Sequence, residues 1–252
     1  MKRKRLADTK IEKLESFDWT AYFKYNNSHL LKLDFSNHSE LSDKEIKLIT
    51  PSIQAFQIGE GSEGRHLFKE VEIFAEKNNY PEYKEIMKWF ILEENRHSQT
   101  LKKYMEVYKI ETVKGLWIDG IFRLLRKLMG LECEVIVLVT AEMIALSYYT
   151  ALANATNSRL LRTICAQMLN DELKHVVLQS DTLHRISKNR NRIVNNFVRT
   201  IRKCLMRCTV FIVWHQYKNL FIKGNFPYKR FKKYSLAYLT ESINLEKTGS
   251  II

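Results

Sequence analysis

The spacing of four glutamates constrains this chain more than any other feature of it. Glu63 and Glu94 lie 31 residues apart, and the midpoint of that interval falls between Asn78 and Asn79; Glu142 and Glu172 lie 30 apart, with the midpoint at Asn157. Residues equally far from the turn that joins two antiparallel helices sit at the same height. Each pair therefore meets across a helical hairpin about 23 Å from its turn, at roughly 1.5 Å of rise per residue. The second hairpin repeats the first at shifts of 79 and 78 residues, and the 48 residues from Glu94 to Glu142 are enough for a long crossover between them.

Helical periodicity supports the hairpins. From about Pro51 the positions Ile53, Phe56, Gln57, Glu60, Glu63, Leu67, Val71 and Phe74 recur at threes and fours and predict one helix ending near Lys77. Pro81 suits the first turn of a second helix that runs through Ile86, Phe90, Glu94, His97, Leu101 and Tyr108. A connector from about 110 to 130 carries Leu116, Ile118, Ile121 and Leu124 and stops at Gly130. Residues 131 to 156 are apolar enough for a helix buried nearly all round, closed by Asn157. Ser158 reads as the N-cap of a fourth helix through Leu161, Ile164, Met168, Glu172 and His175 toward Lys188. Before Pro51, Asp43 is an expected N-cap of a helix that Pro51 interrupts or restarts.

Only three prolines and eight glycines occur in 252 residues, too little turn punctuation for a many-stranded protein, while 45% hydrophobic residues supply a globular core. The fold class is all-α: a ferritin-like four-helix bundle with a crossover helix and extra C-terminal helices. Residues 1–42 form an N-terminal segment, 43–188 the bundle, and 189–252 a basic helical extension packed on it. No signal-like apolar stretch follows the basic N-terminus, so a cytoplasmic protein is expected. Cys133, Cys165, Cys204 and Cys208 contain no Cys-x-x-Cys pair and are expected as reduced core thiols.

The chemistry resides in glutamate and histidine. Three of the seven histidines have a glutamate three residues earlier: Glu63–His66, Glu94–His97 and Glu172–His175. The 21 glutamates, scattered at random, would put fewer than one there. Positions i and i+3 share a helix face, so a carboxylate and an imidazole reach one metal together. Carboxylates about 4 Å apart repel by about 4 kcal/mol at an effective dielectric near 20, which a cation between them reverses. Two divalent ions balance four carboxylates. Carboxylate and imidazole ligands without thiolate favour iron, with manganese open, over structural zinc.

The ligand set is Glu63, Glu94, His97, Glu142, Glu172 and His175. Glu60 and His66, one turn from Glu63, are candidate additional ligands, and Glu60 is an alternative to Glu63. Gly59, Gly61 and Gly64 mark either a loop or a bulge, and the expectation is a bulge that leaves room for dioxygen or substrate beside the metal. Asp171 and Glu93, each preceding a ligand, are candidate acceptors for the second N–H of His97 and His175, the alternative being solvent-facing acids.

Glu93-Glu94-Asn95-Arg96-His97 and Asp171-Glu172-Leu173-Lys174-His175 resemble the two signature motifs of the soluble acyl-carrier-protein desaturases, within the ferritin-like di-iron carboxylate superfamily. Residues 57–66 and 138–142 are more similar to uncharacterised bacterial ferritin-like proteins. The resemblance covers about residues 50–185. It implies two irons on the six ligands above, electrons from a separate reductase protein, and dioxygen-dependent desaturation, hydroxylation or N-oxygenation of a largely apolar substrate, free or carrier-bound. Ala145 stands where desaturases have a threonine, and the chain is shorter than theirs. The alternatives are a ferroxidase or peroxide-consuming protein, and a non-enzymatic, metal-braced binding protein.

The net charge of +13 is concentrated, because residues 182 to 240 hold fourteen Lys or Arg and no Asp or Glu. The positions Met206, Val210, Val213, Tyr217 and Leu220 predict an amphipathic helix there. One expectation is that it docks on the bundle. The other is a surface for an acidic carrier protein or an anionic membrane, with Val213 and Leu220 on the inserting face. Nucleic acid is disfavoured for want of a recognisable motif. Oligomeric state is open, a homodimer included.

Overall fold

The computed structural model describes residues 3–11, 14–36, 41–61, 65–113 and 130–251, and of Glu15, Arg65 and His66 the backbone alone. The protein is all-α. Short 3-10 turns at Leu6–Thr9 and Leu14–Ser16 precede α1 (Trp19–Ser28), α2 (Asp43–Glu60), α3 (Arg65–Lys77) and α4 (Glu82–Val107). Then come α5 (Gly130–Ala155), α6 (Arg159–Ser187), α7 (Arg192–Gln216), α8 (Lys218–Lys223) and α9 (Tyr228–Thr248). The chain divides into two compact units, one of Asp18–Glu134 and one of Met1–Phe17 with Val135–Ile252. The connector reading at Leu116 to Leu128 lies outside the described residues.

In the unit Asp18–Glu134, α1, α2 and α3 each pack on α4. Along α4 the buried positions Tyr83, Ile86, Phe90, Glu94, His97, Leu101 and Tyr104 keep the helical period, so one stripe takes all three neighbours. Ser42, not Asp43, caps α2, its hydroxyl accepting from the Glu45 N–H. Pro51 lies inside α2 and does not restart it. Its flanking residues Ile49, Ser52 and Ile53 are buried, and that packing outweighs the lost hydrogen bond.

The single helix expected from Pro51 to Lys77 is two. Gly61 leaves α2 with extended backbone, φ −79° and ψ 111°, so the loop reading of the glycine cluster holds at Gly61. A Cβ on Gly61 would stand 3.1 Å from the Ser98 hydroxyl, which donates to the Gln57 carbonyl at 2.8 Å. The helix end thus lies against α4 because position 61 has no side chain. Between α3 and α4, Asn79 takes the left-handed conformation at φ +49°, which an asparagine tolerates.

In the other unit, α9 packs on α6 and α7, and the Leu6–Thr9 turn packs on α6 and α9. Helix α5 is long and apolar enough to cross a membrane, but 89% of its apolar window is buried, as a core helix requires. It stops at Ala155, two residues before the expected Asn157. Ser158 caps α6 as the sequence suggests, accepting from the Leu161 N–H at 3.1 Å. Serine pairs join neighbouring helices: Ser147 with Ser235 at 3.0 Å, and Ser180 with Ser242 at 2.7 Å.

The expected amphipathic helix is broken at Tyr217 into α7 and α8, and burial pushes the Tyr217 phenol up to about 12. Met206, Val210, Val213 and Leu220 are all buried. Val213 and Leu220 are therefore core positions, not an inserting face. At the end of α8, a Cβ on Gly224 would come within 2.3 Å of the Ala151 carbonyl oxygen, so α8 meets α5 backbone to backbone. Of the four cysteines, Cys165 is buried, with its thiol pushed up by desolvation; Cys133 is half-buried, and Cys204 and Cys208 are exposed. The expectation of four core thiols is corrected to one. The reason is rotational: Cys204 and Cys208 share the face of α7 opposite Met206 and Val213.

Candidate metal centre

In the unit Asp18–Glu134, α4 brings Glu94 and His97 onto one face, three residues apart, and α2 delivers Glu60 from its last turn. Nδ1 of His97 is 3.7 Å from Oε1 of Glu94 and 3.8 Å from Oε2 of Glu60. All three side chains are buried. These distances exceed a hydrogen bond and suit ligands around one ion, since donors about 2.1 Å from a metal stand roughly 3.0–3.8 Å from one another. Glu63 lies outside the described residues, and so does the side chain of His66, which belongs to α3. Glu60, which the sequence offered as an additional or alternative ligand, lies at the end of α2 beside His97 of α4.

In the other unit, α5 contributes Glu142, and α6 contributes Glu172 and His175. One ligand atom from each lies within 4.8 Å of the others. Nδ1 of His175 is 3.3 Å from Oε2 of Glu172, and exposure is 4% for Glu142 and 0% for both Glu172 and His175. The α5–α6 turn falls between Ala155 and Arg159, around the Asn157 midpoint, so equal distance from the turn places Glu142 level with Glu172.

Among the described residues, each unit thus gathers two carboxylates and one imidazole. That set is neutral with one divalent cation, and it has the hard oxygen and borderline nitrogen donors that Fe(II) or Mn(II) accepts. Buried carboxylates this close repel one another unless a cation lies between them, so the donor chemistry fits a metal in each unit. With Nδ1 facing the carboxylates, the second nitrogen of each imidazole is the one available to an outer acceptor.

Neither outer acid faces solvent. Glu93 is 2% exposed, accepts from Asn26 at 2.6 Å and pairs with Arg96 one turn later on α4. Asp171, also 2% exposed, accepts from Gln167 with both oxygens at 2.9 Å. The solvent-facing alternative is corrected for both. Gln167 lies four residues before Asp171, so the i, i+4 rule could have found it. Asn26 is 67 residues from Glu93, and no local signal announces it. Gln57 and Ser98 were likewise missed: the Gln57 amide donates to the Ser98 hydroxyl at 2.9 Å, fixing α2 against α4 beside His97.

No protein-family model, no curated protein and no solved structure matches the chain.

Proposed function

We propose that the chain is an oxidoreductase carrying two irons, with one position open to manganese, that oxidises a largely apolar substrate, free or carrier-bound. The observation that carries this reading is the repetition, among the described residues, of two buried carboxylates and an imidazole in each unit. The sequence spacing, which puts Glu63 with Glu94 and Glu142 with Glu172 at equal distances from their own turns, supports two metals per chain. When bound, the metals supply dioxygen activation and oxidation by desaturation, hydroxylation or N-oxygenation.

The chain's own residues do the rest. Glu60, Glu94, Glu142 and Glu172 neutralise the metal charge, and His97 and His175 fix each ion to its helix. Asp171 and Glu93 are held by Gln167, Asn26 and Arg96 as fixed acceptors, the role expected of groups that orient a ligating imidazole. Ala145, at 4% exposure one turn from Glu142, keeps that face of α5 apolar, which favours a hydrocarbon over a charged reactant and excludes water. Electrons beyond those drawn from the substrate come from a separate reductase protein.

Aerobically purified protein is expected to hold about two irons per chain, with the Mössbauer spectrum of a coupled ferric pair. Zinc alone in a metal-replete preparation would overturn the reading. Iron that turns over and mineralises with no organic substrate would replace it with a ferroxidase.

A second outcome concerns Asp171. Asp171→Asn keeps the bonding shape toward Gln167 but weakens an acceptor, so metal retention is expected to fall about 10-fold to 100-fold with helicity unchanged. Chelator competition measures it. Equal retention in variant and wild type would remove Asp171 from the centre.

A further inference from the structure

Helix α7 carries two apolar stripes, and only one is buried. Met206, Val210 and Val213 face inward in the unit where α7 packs on α9. On the opposite side Ile193, Phe197, Ile201, Cys204, Cys208 and Phe211 advance by fours and threes. They face solvent: Ile193 is 77% exposed, Phe197 66%, Ile201 47% and Phe211 54%, and both cysteines are exposed. The stripe runs for about 27 Å at 1.5 Å per residue. Large aliphatic and aromatic side chains aligned in this way form a continuous exposed patch, which on a water-facing helix marks a contact surface.

The charge around the stripe selects its occupant. At about 100° per residue, Arg207 and Lys203 follow one edge of it, with Arg192 beyond them at the helix start, and all three are exposed. No acid occurs from residue 182 to 240, so neither α7, α8 nor the first half of α9 opposes an anionic partner. A second copy of this chain would bring like charge against like charge along the whole stripe. An acidic protein would satisfy the cations but would need a groove matched to a convex ridge. An anionic bilayer meets both demands, because fluid acyl chains accept a ridge of any shape while lipid phosphates neutralise the flanking cations.

We propose that the exposed face of α7 is a membrane-surface site: the helix lies parallel to an anionic bilayer, with Phe197 and Phe211 inserted between headgroups and Lys203 and Arg207 on lipid phosphates. The site is independent of the metals, so apo and metal-loaded protein bind alike.

The test is co-sedimentation of the full chain with phosphatidylcholine vesicles, with and without roughly one-third phosphatidylglycerol. Binding is expected to be at least about tenfold tighter to the anionic vesicles and to weaken with salt. Phe197→Ser with Phe211→Ser, and separately Lys203→Glu with Arg207→Glu, are each expected to weaken binding about tenfold. These side chains are exposed, so the circular dichroism and metal content of both variants stay those of the wild type. Failure of the wild type to bind anionic vesicles would overturn the proposal, and so would binding that survives the serine pair. A concentration-dependent dimer that the serine pair abolishes would overturn it in favour of a second copy.

Discussion

Alanine at Glu172 or at Glu94 is expected to reduce the metal content from about two per chain to about one or less. Glu172 is wholly buried and Glu94 is 9% exposed, so neither position can recruit bulk water as an equivalent ligand without opening its packing. Removing one carboxylate leaves its set short of charge to balance a divalent ion, and a net positive charge in a low-dielectric interior expels a cation. The stability of the apo protein distinguishes this reading from an ordinary structural role. Without metal, the carboxylates of each set repel one another, so Glu172→Ala is expected to melt at or above the apo wild type. The wild type gains stability on adding Fe(II) and the variant does not. Metal analysis with thermal unfolding, each run apo and loaded, measures both effects. A variant that keeps wild-type metal, or an apo variant that melts several degrees lower, would reassign Glu172 to packing or to an ion pair.

What the sequence disclosed here depended on distance along the chain. The hairpin of α5 and α6 was legible because its determinants are local: an apolar run ending near Asn157, the cap at Ser158, and Glu142 and Glu172 at equal distance from both. Glu94 with His97 and Glu172 with His175 were legible for the same reason. Glu60 was harder. Which glutamate faces α4 depends on where α2 ends, and it ends at Gly61 through a close approach to Ser98, 37 residues away. The glycine cluster signalled that something happens there without saying what. Pro51 misled in the opposite direction, since the packing of Ile49 and Ile53 carries the helix through it.

The basic segment shows the limit of periodicity itself. Both stripes of α7 repeat at helical spacing, so hydrophobic pattern alone does not decide which is core. The structure decides it through polar residues on the inward face: Arg202, at 1% exposure, pairs with Glu246 and donates to the Ser242 hydroxyl at 2.9 Å. Those partners lie 44 and 40 residues further on, in α9, beyond the reach of any local rule. The ion pair thus lies on the same side of α7 as Met206 and Val210 and marks the inward face.

Glu246→Ala is expected to be the most destabilising change outside the metal ligands. Glu246 serves two cations, taking Arg202 on one oxygen and Arg199 on the other at 2.9 to 3.0 Å. Deleting the carboxylate leaves the Arg202 charge in an interior that excludes water, which typically costs about 3–5 kcal/mol. Urea unfolding of Glu246→Ala measures this, and a loss under about 0.5 kcal/mol, typical of a surface substitution, would show that Arg202 finds solvent or another acceptor. Replacing both partners, Arg202→Met with Glu246→Leu, is expected to recover most of the loss, because the wholly buried charge is gone and only the partly exposed Arg199 loses its acceptor. The single variant also bears on the membrane face. Without its anchor α7 is free to roll, exposing Met206 and Val210 beside the outer stripe, so vesicle binding by Glu246→Ala is expected to lose its dependence on Phe197 and Phe211. The double apolar variant, which keeps α7 docked, retains that dependence. If both variants depended on Phe197 and Phe211 as the wild type does, the rotation of α7 would be fixed by its apolar packing alone, and Arg202 would contribute stability without orientation.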